Sequence, residues 1–266
     1  MERPKDIMRI LVTGASGQLG LSIQDIASEF PQLEFIFAAS EDLDITHPKA
    51  VNQYFQKGNF NYCINCAAYT NVEQAEKNPE LAYKVNAEGA KIIAMACRQN
   101  HTILIHISTD YVFDGEKGLP YTTNDTPNPI NQYGKSKLAG EQSILNLIDR
   151  YFIIRTSWLF HKKHGKNFYK TILEKAQAKE ELRITNGETG SPTNAANLAK
   201  YIIDMITGKN LEYGIHHFTD GKAMSWYDFA HEILVKNDLG STTSLIMDNT
   251  YPTLAKRPKY SVLLPG

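Results

Sequence analysis

The stretch Arg9–Phe30, RILVTGASGQLGLSIQDIASEF, decides the fold. It begins as a short apolar run that is typical of a buried strand and continues with apolar residues at helical spacing. Three glycines at intervals of three residues join the two parts, namely Gly14, Gly17 and Gly20. Such a turn lets the backbone approach a pyrophosphate, which the helix N-terminus then faces. The stretch therefore predicts a dinucleotide-binding unit in which Gln18 and Leu19 lie over the phosphates.

Which dinucleotide is bound stays open on the residues alone, and we expect NADPH or NADH. The second strand ends in FAASEDLD, Phe37–Asp44, and this stretch offers no clear acidic or basic ligand for the adenosine ribose. Asp44 and Ile45 come later and are expected to lie toward the adenine end. The loop spacing is GxxGxxG rather than the more familiar GxGxxG, and a plain strand-to-helix turn is the alternative interpretation.

Strands and helices alternate through the first 160 residues. Apolar runs typical of strands lie at 9–15, 33–40, 61–70, 102–110 and 151–160. Between them, apolar residues recur at helical spacing over 19–30, 46–55 and 79–100, and a further helix follows residue 130. This alternation predicts an α/β fold, a Rossmann-like doubly wound parallel sheet built from right-handed βαβ units.

The rhythm changes after Phe160. A polar stretch leads to an amphipathic segment at 168–179, and Ser225 and Asp228 form a capping-box pattern before another helix. We predict a dinucleotide-binding domain over 1–160 and a smaller C-terminal lobe mainly over 161–266. Whether part of 176–215 returns to the first domain is left open.

Composition excludes several classes of function. The 266 residues carry a net charge of −1 and no long basic run, which argues against nucleic acid or an anionic membrane as the main partner. No apolar run approaches the roughly 20 residues of a transmembrane helix, and the N-terminal residues lack a signal-peptide core, so we expect a cytoplasmic location.

The three cysteines, Cys63, Cys66 and Cys97, are predicted to be buried reduced thiols. Cys63 and Cys66 invite a redox or zinc interpretation. They fall within a strand-like run, however, where positions three apart point to opposite faces, and there is no second cysteine pair to complete a zinc site.

The segment Ile130–Glu141, INQYGKSKLAGE, places Tyr133 four residues before Lys137 on a predicted helix that Asn131 can cap. Residues four apart share a helical face, so the phenol and the ammonium are neighbours. By itself such a pair indicates two solvated surface residues more often than a catalytic pair.

A series of motifs supplies the missing context. GQLG, STDYVFDG, YGKSKLAGE, IIRTSWLF, GKNF, GSPT and RPKYS occur in this order over nearly the whole chain. Together they resemble the dTDP-4-dehydrorhamnose reductases, a family of the extended short-chain dehydrogenase/reductase superfamily. The resemblance implies that the chain reduces a nucleotide-activated 4-keto-6-deoxy sugar, with hydride from NADPH or NADH, and that the C-terminal lobe binds the substrate.

The resemblance also implies a role for each matching residue. Tyr133 is the proton donor to the C4 oxygen, and Lys137 bonds the nicotinamide ribose and lowers the pKa of Tyr133. Thr109 bonds the same keto oxygen. The implied cofactor contacts are Gly14, Gly17, Gln18, Leu19, Gly20, Asp44, Ile45, Ala68, Tyr69, Thr70, Tyr133 and Lys137. The implied substrate contacts are Thr109, Asp110, Tyr133, Trp158 and Arg257.

Other features are expected to be structural. Asn86 is expected to support the site by bonding backbone. His161, His164, His216 and His217 show no metal-ligand spacing in a supporting context, and we expect no metal site. The expected partner is the nucleotide-sugar substrate, with the protein a monomer or homodimer.

Two other functions are compatible with much of the pattern. One is a non-catalytic regulatory subunit of the methionine adenosyltransferase type, which resembles this family and retains much of the cofactor fold. The other is a nucleotide-sugar epimerase or dehydratase, which returns the hydride. Net oxidation of the cofactor distinguishes a reductase from both.

Overall fold

Six parallel strands form the central sheet in the computed structural model, which describes residues 7–208, 212–250 and 252–265. The strands are β1 (Met8–Thr13), β2 (Leu33–Ala38), β3 (Tyr62–Asn65), β4 (Ile103–Thr109), β5 (Tyr151–Thr156) and β10 (Gly214–His217). Their order across the sheet is β2, β1, β3, β4, β5, β10, and every pairing is parallel. The predicted doubly wound sheet is confirmed. The order reverses between β1 and β3, which is where such sheets bind ligands.

Helices cover both faces of this sheet. They are α1 (Gln18–Ile26), α2 (Pro48–Gly58), α3 (Val72–Lys77), α4 (Pro79–Tyr83), α5 (Ala90–Gln99), α6 (Gln132–Leu147) and α8 (Ala195–Thr207). Apolar residues of α2, α5 and α6 pack in one core with one face of the strands, and those of α1 and α8 pack in a second core with the other face. No helix in the described ranges combines the length and apolar character that a membrane span requires.

Helix α6 lies very close to the elements around it. A Cβ on Gly134 would stand 2.1 Å from the Tyr111 carbonyl oxygen, and one on Gly140 would stand 2.2 Å from the Asn86 carbonyl oxygen. Only glycine permits these approaches. On the sheet side of the helix, fully buried Glu141 forms an ion pair with Arg155 of β5 at 2.6 Å.

The segment predicted as one helical run at 79–100 is interrupted. A π-helical turn, Lys84–Gly89, joins α4 to α5. The wider turn carries Asn86, whose side chain is buried and bonds the backbone of Tyr69 through both its amide oxygen and its nitrogen. The expected backbone-bonding role of Asn86 is confirmed, and the π turn fits the tendency of such turns to occur at functional sites.

Two predicted strands end earlier than expected. The run at 61–70 is a strand only to Asn65, so Cys66 lies beyond it. The run at 151–160 breaks after Thr156, because Trp158 adopts a left-handed conformation with φ 47°, and the chain resumes as the short β6 (Leu159–Phe160). All three cysteines are free thiols, with Cys63 and Cys97 buried and Cys66 half-buried.

The smaller lobe is built from α7 (Phe168–Gln177) and α9 (Trp226–Lys236), which share an apolar core. Short strand pairs accompany them: β7 (Leu182–Ile184) with β12 (Leu245–Met247), and β8 (Thr189–Gly190) with β11 (Met224–Ser225), while β9 (Thr193–Asn194) pairs with β6. The predicted capping box of α9 is present. Helix α8 and strand β10 return to the large sheet, and the domain limits themselves stay a prediction.

Arg155→Met should destabilise the fold by about 3–5 kcal/mol, because it leaves the Glu141 carboxylate buried without its partner. The double variant Glu141→Leu/Arg155→Met should recover much of that loss. Chemical denaturation measures both free energies of unfolding. Lys175→Met is the control, since Lys175 pairs with Glu180 at the surface and such pairs contribute about 0–1 kcal/mol. An Arg155→Met protein no less stable than Lys175→Met would contradict the assignment.

Candidate active site

A cleft of about 530 Å³ opens at the carboxyl ends of β1, β3, β4 and β5. The predicted site residues that line it are Gly14, Gly17, Gln18, Leu19, Gly20, Ala68, Thr70, Thr109, Asp110, Tyr133, Lys137, Trp158 and Arg257. A neighbouring cavity of about 420 Å³ shares Gly14, Gly17, Cys66 and Ala68 with the cleft, and Asp44 and Ile45 line it too. Tyr69 lines neither space, and its backbone is held by Asn86.

The glycine loop has the geometry of a phosphate site. Gly14 has φ 63°, and a Cβ there would stand 2.6 Å from the Ala67 nitrogen, so this position requires glycine. Gly20 packs equally closely on Ala15. A Cβ on Gly17 would meet only the Gly14 carbonyl oxygen, at 3.2 Å, among the described atoms. Because Gly17 also caps α1 without a side chain, the first N–H groups of that helix can serve an anion.

Asn167 joins the smaller lobe to this loop. Its Nδ2 donates to Gln18 Oε1 at 2.9 Å, while its Oδ1 accepts from the Lys170 backbone and so caps α7. Gly165 lies against the Gln18 side chain as well. The lobe therefore closes over the start of α1.

Tyr133 stands in the first turn of α6, which Asn131 caps by accepting from the Gly134 N–H at 2.7 Å. Burial raises the pKa of Tyr133 to about 12, with the Thr109 hydroxyl opposing and the Asp110 charge adding to the rise. Lys137 is not among the groups that shift this pKa. The expectation that Lys137 lowers the pKa of Tyr133 therefore stays a prediction.

Lys137 is 2% exposed, and its ammonium faces the sheet. Nζ donates to the Ile107 carbonyl oxygen at 2.5 Å and lies 3.3 Å from His106 Nε2. Burial lowers the pKa of Lys137 to about 8, against the opposing charge of Glu141. A lysine near this pKa can exchange its proton close to neutrality.

Thr109 and Asp110 form a buried polar pair at the end of β4. The Thr109 hydroxyl donates to Asp110 Oδ1 at 3.1 Å, and the Ser261 hydroxyl donates to Asp110 Oδ2 at 2.5 Å. Burial raises the pKa of Asp110 to about 7, although both hydroxyls and nearby backbone N–H groups oppose the rise. The Thr109 hydrogen must leave Asp110 before it can serve a substrate oxygen.

Trp158 forms an aromatic wall of the cleft. It stacks on Trp226 at 3.5 Å between ring centroids and 6° between planes. Gly190 packs against the same indole, where a Cβ would stand 2.5 Å from Cε2. Left-handed backbone is costly for a large side chain, and such strain clusters at functional sites. Trp226 also lines the cleft and was not predicted.

Arg257 reaches the cleft, but its charge is already engaged. Nη2 donates to Glu73 Oε1 at 2.6 Å, and Nη1 donates to the Ala255 carbonyl oxygen at 3.2 Å. Glu73 also accepts from the Leu254 backbone. The segment that carries Arg257 is thus attached to α3.

Two of the histidines lie in a cluster that the sequence did not predict. One ligand atom from each of Asp25, His161 and His164 lies within 4.8 Å of the others. His164 Nε2 pairs with Asp25 Oδ2 at 2.7 Å, and the two imidazoles stack with 17° between planes. Near-parallel rings direct their in-plane lone pairs past one another, so the arrangement suits the His164–Asp25 hydrogen bond better than a shared metal ion. His216 and His217 lie in β10, as expected of strand residues.

The comparisons with known proteins cover both lobes. Residues 8–265 match the family model described as the RmlD substrate binding domain. The chain is 38% identical over 265 residues to the dTDP-4-dehydrorhamnose reductase of Aggregatibacter actinomycetemcomitans. This alignment covers 96% of this chain and 90% of that protein. It resembles the crystal structure of a dTDP-4-dehydrorhamnose reductase from Clostridium acetobutylicum with a TM-score of 0.91 and 42% identity, over 97% of this chain and 90% of that one. It also resembles the crystal structure of the Bacillus anthracis dTDP-4-dehydrorhamnose reductase in complex with NADP, with a TM-score of 0.91 and 38% identity. That match covers 97% of this chain and 91% of the other.

Gly17→Val should weaken NADPH binding by about 10–100-fold, since its methyl groups occupy the space where a charged phosphate would bond the helix N–H groups. The fold should survive, because the backbone at Gly17 is extended and its Cβ would meet only the Gly14 carbonyl oxygen among the described atoms, a contact at 3.2 Å that a shift of a few tenths of an ångström relieves. Titration calorimetry measures the affinity. Gly20→Ala is the contrasting variant, and it should lose stability because its Cβ would stand 2.6 Å from Ala15 Cα. Unchanged NADPH affinity in Gly17→Val would exclude the loop from the cofactor site.

Proposed function

This chain belongs to the RmlD substrate binding domain family, and we propose that it catalyses the reaction for which its dTDP-4-dehydrorhamnose reductase relatives are named. The reaction reduces the 4-keto group of dTDP-4-dehydrorhamnose to the alcohol of dTDP-L-rhamnose, with NADPH or NADH as reductant. The substrate is a nucleotide-activated sugar, and no nucleic acid or membrane partner is proposed. A cytoplasmic location, and a monomer or homodimer, stay predictions.

One observation carries the proposal. Thr109 from β4 and Tyr133 and Lys137 from α6 line the same cleft as the glycine loop. A proton donor, a cationic side chain and a phosphate-binding helix N-terminus are the groups that a nicotinamide-dependent reduction needs in one place. Trp158 and Arg257 line the cleft as well and add an aromatic surface and a cation suited to a sugar diphosphate.

The cofactor, when bound along the glycine loop, supplies the hydride for C4 of the sugar. Tyr133 supplies the proton: its O–H bond breaks as the new O–H bond forms on the C4 oxygen. Its pKa of about 12 keeps Tyr133 protonated at neutral pH, so the proton is in place when the C4 oxygen gains charge. Lys137 stabilises the tyrosinate that remains, through its positive charge, until solvent returns the proton.

Thr109 orients the reacting oxygen. Its single hydroxyl hydrogen, which donates to Asp110 in this structure, turns to the substrate C4 oxygen. A protonated Asp110 can itself donate to the Thr109 oxygen, and its pKa of about 7 makes that form accessible near neutrality. Asp110 and Ser261 together then hold Thr109 in place during the turn.

The adenosine end of the cofactor site favours no strict choice of cofactor. Strand β2 ends in Ala38, and the Asp42 carboxylate turns back to accept from the Ala39 backbone at 3.0 Å. Asp44 is likewise engaged by the Thr46 N–H at 2.8 Å. Neither carboxylate lies at the end of β2, where the acidic ribose ligand that selects NADH over NADPH is expected, and each already accepts a backbone N–H through one oxygen.

The decisive experiment is turnover of the purified protein on a panel of nucleotide-activated 4-keto-6-deoxy sugars with each cofactor. We expect stoichiometric oxidation of NADPH or NADH with dTDP-4-dehydrorhamnose. Binding of the cofactor with no turnover, together with a stable complex with a partner enzyme, would favour the regulatory-subunit interpretation. Turnover with no net cofactor oxidation would favour an epimerase or dehydratase.

Tyr133→Phe should lower the rate of reduction by about 10²–10⁴-fold, the usual size of a general-acid contribution. The substitution removes only the hydroxyl, so NADPH affinity and the melting temperature should hardly change. Stopped-flow absorbance measures the reduction step. The control is Tyr151→Phe, because Tyr151 lies at the start of β5, away from the cleft. Near wild-type turnover in Tyr133→Phe would overturn the mechanism.

Arg257→Ala should raise KM for the nucleotide-sugar more than it lowers kcat, because a diphosphate contact serves ground state and transition state alike. Glu73→Gln tests the same contact from the other side. It weakens the hold of Glu73 on Arg257, so KM should stay the same or fall. Steady-state kinetics separate the two parameters. An Arg257→Ala effect confined to kcat would place this guanidinium outside substrate binding.

A further inference from the structure

His106 lies directly behind Lys137 and has no role in the mechanism above. It sits in β4 among apolar residues and is 1% exposed. It does not line the cleft, whereas its neighbours Ile107 and Ser108 do. Its Nε2 faces Lys137 Nζ at 3.3 Å, and its Nδ1 faces Asn65 Nδ2 at 3.1 Å.

The hydrogen atoms of Lys137 can be accounted for one by one. A charged ammonium has three N–H donors. One points to the Ile107 carbonyl oxygen, and a second can be accepted by His106 Nε2. The third remains for the cleft, where the predicted cofactor ribose and Tyr133 lie. Two contacts on the sheet side therefore direct the third toward the reaction.

The imidazole can accept from Lys137 only in one tautomer. Nε2 must carry the lone pair, so Nδ1 must carry the hydrogen and needs an acceptor. The Asn65 amide can present its oxygen to Nδ1 when turned by half a rotation, and its nitrogen then faces the Thr13 hydroxyl, 2.7 Å away on the other side. With the amide in that orientation, the buried chain Thr13, Asn65, His106 ends in an acceptor aimed at the ammonium. Burial lowers the pKa of His106, and the adjacent Lys137 charge lowers it further, so the ring is neutral.

We propose that His106 is a positioning residue for the reduction, which holds the Lys137 ammonium in its charged form and directs its remaining N–H into the cleft. The proposal rests on the proposed function for the identity of the reaction, and on the contacts of Lys137 for the role itself. It concerns a residue that touches neither substrate nor cofactor.

The other groups that act on Lys137 are few in the described part of the chain. Glu141 on α6 favours the charged lysine, and so would an ionised Cys66 beyond β3. The Cys66 thiol stays protonated because burial raises its pKa. Glu141 is bonded to Arg155 and Ser108. Among the side chains of β4, His106 is therefore the one placed to accept a hydrogen bond from Lys137 Nζ.

A matched pair of variants separates the acceptor from the packing. His106→Leu fills similar space without an acceptor, whereas His106→Gln can place its side-chain oxygen near the position of Nε2. His217→Leu is the control, because His217 is a buried histidine of neighbouring β10 that bonds the Tyr121 carbonyl oxygen and lies outside the cleft. Scanning calorimetry on all three variants measures the loss that comes from packing alone.

The main readout is NADPH affinity as a function of pH, which needs no sugar substrate. An acceptor on Nε2 favours the ammonium, so its loss lets Lys137 deprotonate at lower pH. In His106→Leu the alkaline fall in NADPH affinity should begin at lower pH than in wild type, and affinity at neutral pH should drop about tenfold. His106→Gln should restore both, and His217→Leu should change neither.

The outcomes distinguish the two proposals. A His106→Leu protein with the wild-type pH profile overturns the positioning role, whatever its turnover. Equal shifts in His106→Leu and His106→Gln would assign His106 to packing and overturn it as well. If the profile shifts as expected but wild type reduces no 4-keto sugar, the positioning of Lys137 stands and the proposed substrate does not.

Discussion

The close seating of α6 on the π turn, the end of β4 and strand β5 is the constraint on which the cleft depends. Glycines at two positions let the helix approach the Tyr111 carbonyl just after β4 and the Asn86 carbonyl of the π turn, and the Glu141–Arg155 pair fixes its rotation and register on β5. A buried ion pair is weak evidence for stability, since dehydrating both charges is costly. Its effect here is positional: with Glu141 fixed, Lys137 lies one turn earlier against His106, and Tyr133 one turn earlier again beside Thr109.

The second half of the cleft comes from chain segments far away in sequence. Asn167 bonds Gln18 across 149 positions, and Ser261 bonds Asp110 across 151. Both contacts end on groups that the sheet already orients. The smaller lobe is therefore positioned on the loops proposed to bind cofactor and substrate. Any movement of this lobe alters the geometry at Gln18 and at Asp110 together.

Local sequence predicted the elements with short-range causes. The glycine loop, the alternation of strands and helices, and the Tyr–Lys spacing depend on neighbouring residues, and these predictions agree with the structure. The burial of Arg155 could not be predicted from neighbouring residues. A charged residue usually lies at the surface, and the contact of Arg155 with Glu141 arises only from tertiary packing. An imidazole within an apolar strand marks His106 as unusual in the sequence. Its partner Lys137 could not be predicted, because the contact depends on how closely α6 packs on the sheet. The glycines of α6 were also unusual in the sequence, since a glycine kept within a helix often has a packing reason. Nothing in the sequence set Trp226 apart as a cleft residue, because an apolar residue is expected at that position of an amphipathic helix.

The stacked indoles have an optical consequence. Trp158 and Trp226 are the chain's two tryptophans, and both line the cleft in face-to-face contact. Intrinsic tryptophan emission from this protein therefore comes from one location, and the paired rings should couple as an exciton in the near-ultraviolet circular dichroism. A reduced nicotinamide bound nearby absorbs where indoles emit and should quench them by energy transfer. The protein thus carries a native spectroscopic reporter of its own cleft, with no label required.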